Sequence, residues 1–183
     1  MVYRTGTYIA FDGLGETNPA KSDYRYYTTI QGWNRSNSIE FKFVNSHDKA
    51  SSVRDTSKRE TLYASIRQRL RSSKNMLVVV SRDTRKSGSV LSWEIEKGTD
   101  DYCLPLIIAY AGYYSILAPE KLSDFWPNTL AERISRDSVS AIHVPFKKDA
   151  IFDAISRFTV NGEEIGGSLV TYTEAAHKNW GYI

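Results

Sequence analysis

Met76-Leu77-Val78-Val79-Val80 is an unbroken apolar run, and Leu104-Pro105-Leu106-Ile107-Ile108-Ala109-Tyr110 is another. Runs without alternation are expected of strands covered on both faces, as in the centre of a parallel sheet. Pro105 belongs at the start of its strand, where a missing amide costs little. Between the runs, Ser89 stands where a helix N-cap stands, ahead of Leu91, Trp93, Glu94 and Ile95, and Gly98 is expected to end that helix. Strand, helix and strand in this order make a parallel pair joined by a right-handed crossover.

The same alternation extends in both directions. Thr7-Tyr8-Ile9-Ala10-Phe11 reads as a buried strand halted by Asp12-Gly13-Leu14-Gly15, and residues 23–33 carry apolar or aromatic side chains at 26, 27, 30 and 33, a helical spacing. Ile39-Glu40-Phe41-Lys42-Phe43-Val44 alternates strictly, which predicts a strand near a sheet edge. Ser57-Lys58-Arg59-Glu60 has capping-box spacing ahead of Leu62, Ile66 and Leu70. Further on, 130–134 reads as helix, 141–144 as a short strand and 149–158 as helix, while 160–183 carries no assignable period. The chain therefore divides into an α/β domain over 1–158, a flavodoxin-like parallel sheet with helices on both faces, and a C-terminal extension over 159–183 packed on it. Ligands of such folds bind beyond the carboxyl ends of the strands. That rule selects the Asp12 loop, the Asn45–Asp55 loop and the Ser81–Trp93 connection.

Composition narrows the function. The 183 residues hold 24 basic and 21 acidic side chains, a net charge of +3 that gives no electrostatic case for nucleic acid or an anionic membrane. No apolar run approaches the roughly 20 residues of a membrane span, and the first residues lack a signal peptide's apolar stretch, so a cytoplasmic protein is expected. A single cysteine, Cys103, excludes an intrachain disulfide and Cys-rich zinc sites; it is expected to pack ahead of its strand. His47, His143 and His177 lack metal-ligand spacing, so no metal is expected. His143 falls within a strand and reads as structural. The glycines after Phe11-Asp12 match neither a Rossmann fingerprint nor a Walker loop.

One ordered set remains. Tyr8-Ile9-Ala10-Phe11-Asp12, the Asn45-Ser46-His47-Asp48 loop, Leu77-Val78-Val79-Val80-Ser81 and Ser92-Trp93-Glu94-Ile95-Glu96 together resemble the TIR domain, in particular the TIR-like branch that makes the signal of bacterial Thoeris anti-phage defence. The resemblance implies a TIR-like fold and an enzyme that cleaves the nicotinamide–ribose bond of NAD+, its substrate, to give a cyclic or modified ADP-ribose that an effector protein reads. It places the catalytic glutamate at Glu94 and implies nucleotide contacts from Phe11 and Asp12. Ser46, His47, Asp48 and Arg54 are further candidate contacts because their polar loop lies on the ligand face, and Phe11 or Trp93 offers an aromatic ring for a base to stack on. Phe-Asp-Gly departs from the usual end of the first TIR strand. Self-association is implied too, with 39–44 and the aromatic tail as candidate surfaces. By helical geometry one of Glu94 and Glu96 must face outward. A non-catalytic TIR-like adaptor and, less well matched, a nucleoside deoxyribosyltransferase-like enzyme are the competing readings.

Overall fold

The computed structural model describes residues 4–14, 23–35, 43–45 and 56–183. Its strands are β1 (Gly6–Ala10), β2 (Phe43–Asn45), β3 (Ser73–Val80), β4 (Leu106–Tyr110), β5 (Ala141–Pro145) and β6 (Val170–Thr171). All pairings are parallel, in the order β2-β1-β3-β4-β5-β6. This is the flavodoxin-like order with one strand added, and the chain reverses direction across the sheet between β1 and β3. Of the alternating segment only Phe43 and Val44 fall among the described residues; with Asn45 they form β2, at the sheet edge that the pattern predicts.

Side chains of alternating parity feed separate cores. Ile9, Phe11, Leu77, Val79, Ile107 and Ala109 pack on one face against α1 (Tyr24–Arg35), through Tyr27 and Ile30, and against α5 (Lys148–Arg157), through Ile151 and Ile155. Tyr8, Ala10, Val78, Val80 and Ile108 pack on the other against α2 (Thr56–Ser72), α3 (Val90–Glu96) and α4 (Asn128–Ser135). The apolar runs of β3 and β4 are thus covered on both sides, which is why neither alternates.

Two expectations need correction. Gly98 does not end α3: the chain winds on through a π-helical turn over Lys97–Asp101. Its glycine serves close approach, because an added Cβ would lie 2.7 Å from the Met76 Sδ on β3. Cys103 does not pack; it is exposed, in the left-handed region at φ 51°.

Buried polar groups on β3 and β5 tie distant elements together. Asn75 accepts from the Thr7 hydroxyl (2.7 Å), and its amide donates to the Ile155 and Phe158 carbonyls (3.0 and 2.8 Å) at the C-terminal end of α5. A strand residue thereby caps a helix on its neighbouring layer. Asn75→Ala orphans these partners in a dry environment, and we expect a loss of about 3 kcal/mol. Urea unfolding checks it; a loss under about 1 kcal/mol contradicts this role.

His143 on β5 forms a second tie. Its Nε2 lies 2.9 Å from the Ser168 carbonyl, which can only accept, so Nε2 carries the proton. Nδ1 then accepts from the Tyr110 hydroxyl (2.7 Å), which in turn accepts from Trp126 Nε1 (2.6 Å). This chain is complete only for a neutral ring. Burial pushes the His143 pKa down to about 4, with the Ser168 hydrogen bond and Glu120 opposing it.

Candidate functional site

Leu91, Glu94, Ile95 and Gly98 are the buried positions of α3 and its continuation. Their spacing is one helical face, so Glu94 sits within an apolar stripe turned toward the sheet. Ser89 sets the start of the helix, its side chain accepting from the Ser92 amide. Glu94 is 0% exposed, and its Oε1 accepts from the Tyr8 hydroxyl on β1 at 2.6 Å. A phenol donating to a carboxylate is a charge-assisted bond, stronger than a neutral one. It fixes the rotamer of Glu94 beneath β1. Glu96, the outward partner, pairs instead with Lys97 at 3.2 Å.

Above this buried pair, the carboxyl ends of β1 and β3 meet at the sheet's reversal point. Asp12, fully buried, takes both Nε and Nη2 of Arg85 (3.1 and 2.7 Å to Oδ1), the Arg85 amide (2.8 Å to Oδ2) and the Leu14 amide (2.9 Å). Burial opposes its charge, but these Arg85 and Leu14 contacts prevail and hold the carboxyl below its usual range. The Arg85 loop is braced elsewhere as well. Thr84 Oγ accepts from the Ser81 amide (2.8 Å), Lys86 Nζ donates to the Ser123 and Trp126 carbonyls (3.4 and 3.3 Å), and the Asn128 amide donates to the Lys86 carbonyl (2.8 Å).

A second buried acid lies here. The Ser81 hydroxyl donates to both Asp23 oxygens (3.3 and 3.1 Å), and burial pushes the Asp23 pKa up to about 6 from 3.8, against Ser81 and Arg25 and with Asp12 and Asp83. Asp23 therefore stabilises the fold when protonated, and that contribution is lost as pH rises from 3.8 through 6. His143 has the opposite sign: its contribution is present above 6.5 and lost as pH falls through 4. The windows overlap, so the two largely offset each other. Asp23→Asn unmasks His143, and we expect that variant to lose about 3 kcal/mol between pH 6.5 and 4 while the wild type changes far less. Denaturant unfolding across that range tests this; parallel curves for the two proteins contradict it.

The residues expected at the site fall into distinct places. Glu94 and Asp12 are both held by the β1–β3–α3 unit. Phe11 is not brought to Glu94: it is 1% exposed and packs on the opposite face, against Tyr24 and Tyr27 (centroids 6.1 and 6.0 Å), leaving no open ring surface for a base. Trp93 is half-buried between helices, 4.4 Å from the Tyr63 ring with Arg67 against it. Ser46 and His47, with Asp48 and Arg54, lie outside the described residues. The family model for the Thoeris protein ThsB, TIR-like domain, matches residues 8–114, more than half of the chain and the β1-to-β4 unit from Tyr8 onward. The chain belongs to this TIR-like family.

Sequence reading missed three residues of this TIR-like domain. Tyr8 was indistinguishable from a core aromatic, and Asp23 and Arg85 acquire partners 58 and 73 positions away. Arg85 did lie in a connection singled out by the carboxyl-end rule, the one available signal. A cavity of about 440 Å3 lies at the other end of the sheet, between Pro105, Val139, Val160 and Ile165 at the amino ends of β4 and β5, away from Glu94. Among the described residues no cluster of three His, Cys, Asp or Glu side chains suits a metal ion, and no helix is long and apolar enough to cross a membrane.

Proposed function

We propose that this TIR-like domain of Thoeris defence consumes NAD+, cleaving the nicotinamide–ribose bond with Glu94 as the catalytic carboxylate. The observation that carries the reading is a glutamate inside the apolar stripe of α3, fixed by Tyr8 beside the point where the sheet order reverses. Burying a carboxylate is costly, and such groups concentrate where chemistry uses them.

The reaction suits a lone carboxylate. Nicotinamide leaves a cationic nucleotide as a neutral molecule, so its departure requires no general acid. Positive charge builds on the ribose instead, as in glycoside cleavage, and a fixed carboxylate under the sugar stabilises it and hydrogen-bonds its hydroxyls. Water attack on the anomeric carbon gives ADP-ribose, whereas attack by a group of the same nucleotide gives a cyclic or rearranged product, the signal read by an effector. Glu94 has no solvent exposure, so contact with the ribose requires the site to open. That requirement fits an enzyme held silent until infection.

The same complete burial favours a second reading, a non-catalytic adaptor in which Glu94 and Tyr8 are a structural pair. Incubating the purified protein with NAD+, with and without extract from phage-challenged cells, and separating products by mass decides between them. The proposal expects free nicotinamide and an ADP-ribose product, lighter by one water if cyclised. Intact NAD+ in both conditions, with the protein folded, supports the adaptor.

A further inference from the structure

We infer that Arg85 is a phosphate-binding residue, positioned by Asp12 to receive the diphosphate of a dinucleotide; this rests on the NAD+ reading above. The ion pair is asymmetric. Asp12 is 0% exposed while the Arg85 side chain is 40% exposed, so the acid lies beneath and the cation faces out at the carboxyl ends of β1 and β3. Asp12 uses the Nε, Nη2 and backbone amide of Arg85. Nη1 takes no partner among the described residues, which leaves one edge of a guanidinium already locked in plane. A guanidinium fork of that kind matches phosphate oxygens in geometry as well as charge.

The surroundings make this a built position rather than a stray surface arginine. Lys86, its neighbour, is spent on the 123–126 carbonyls, and Thr84 closes the turn onto Ser81. The loop is thus held on both sides, and the order cost of binding an anion is already met by the fold. Asp12 and exposed Asp83 offset part of the charge of Arg82, Arg85 and Lys86, leaving the loop with a net positive charge. Within that field Arg85 is the cation whose guanidinium is fixed in plane by a buried acid. The loop runs directly into α3, which places the fork and Glu94 on one continuous unit, as a substrate with a diphosphate attached to the reacting ribose requires.

The test compares wild type, Arg85→Gln and the double variant Asp12→Asn/Arg85→Gln, each first shown to melt cooperatively. The double variant removes both charges, so it leaves no unpaired buried acid to unfold the protein. Calorimetric binding of ADP-ribose and of adenosine is measured at low and moderate salt. We expect ADP-ribose affinity to fall at least about tenfold in the folded variants and to lose part of its salt dependence, with adenosine unchanged. A double variant that binds ADP-ribose within twofold of wild type overturns the assignment. If the wild type turns over NAD+ through Glu94 while Arg85→Gln keeps its KM, this inference alone fails; if the wild type neither binds ADP-ribose nor consumes NAD+ in the presence of extract from phage-challenged cells, both fail.

Discussion

A chain ending at Phe158 is expected to lose its cooperative fold at room temperature. The extension is part of the core: Ile165, Tyr172 and His177 are buried, β6 pairs with β5, and α6 (Glu174–Asn179) is anchored by His177. The His177 Nε2 accepts from the Ile116 amide at 3.3 Å, while Nδ1 donates to the Thr173 carbonyl at 2.9 Å. Trp180 packs on Tyr172 with centroids 4.9 Å apart. Removal also takes the Ser168 carbonyl from His143, stranding a buried N–H. Two or three apolar side chains at about 1.5–3 kcal/mol each, plus orphaned donors, amount to roughly 5 kcal/mol or more, comparable with the whole stability of a domain. Circular dichroism melts of the full chain and of residues 1–158 test this; a truncated chain that melts cooperatively within a few degrees of the full one contradicts it.

That extension was also the least legible part of the sequence. A strand of two residues and a helix of six are too short to show a period. What fixes them is long-range: an aromatic cluster and one buried histidine. The β3 and β4 strands were legible because an apolar run covered on both faces writes its burial into composition, and α2 because Leu62, Ile66 and Leu70 repeat at helical spacing. Gly98 misled for a physical reason, since a glycine demanded by close approach to Met76 looks the same as one that ends a helix.

The candidate site divides along the same line. Glu94 was readable through family resemblance, and its inward direction was available in the 91–94–95–98 stripe, which places an acid among apolar neighbours. The sequence reading stopped at the weaker statement that Glu94 or Glu96 must face out. Phe11 was expected in the site by analogy with the family's first-strand loop, whereas strand parity turns its ring into the core on the other face. Asp12 was selected by position, whereas its partner Arg85 emerges only from tertiary contact.

The second large effect is on activity, and it supplies the most direct measurement: initial rates of NAD+ loss for wild type, Glu94→Gln and Glu96→Gln under the activating condition. The two glutamates share a helix and are two positions apart, but Glu94 is buried on Tyr8 and Glu96 is half-exposed beside Lys97. Glutamine keeps the shape of Glu94 and an acceptor for the Tyr8 hydroxyl while removing the charge that faces the ribose. Removing one electrostatic stabiliser of a transition state costs on the order of 100- to 1,000-fold in rate. The account predicts a loss of at least about 100-fold for Glu94→Gln and a change under about twofold for Glu96→Gln, with both variants folded. Equal turnover in wild type and Glu94→Gln would contradict it and leave the Tyr8–Glu94 pair as a structural tie.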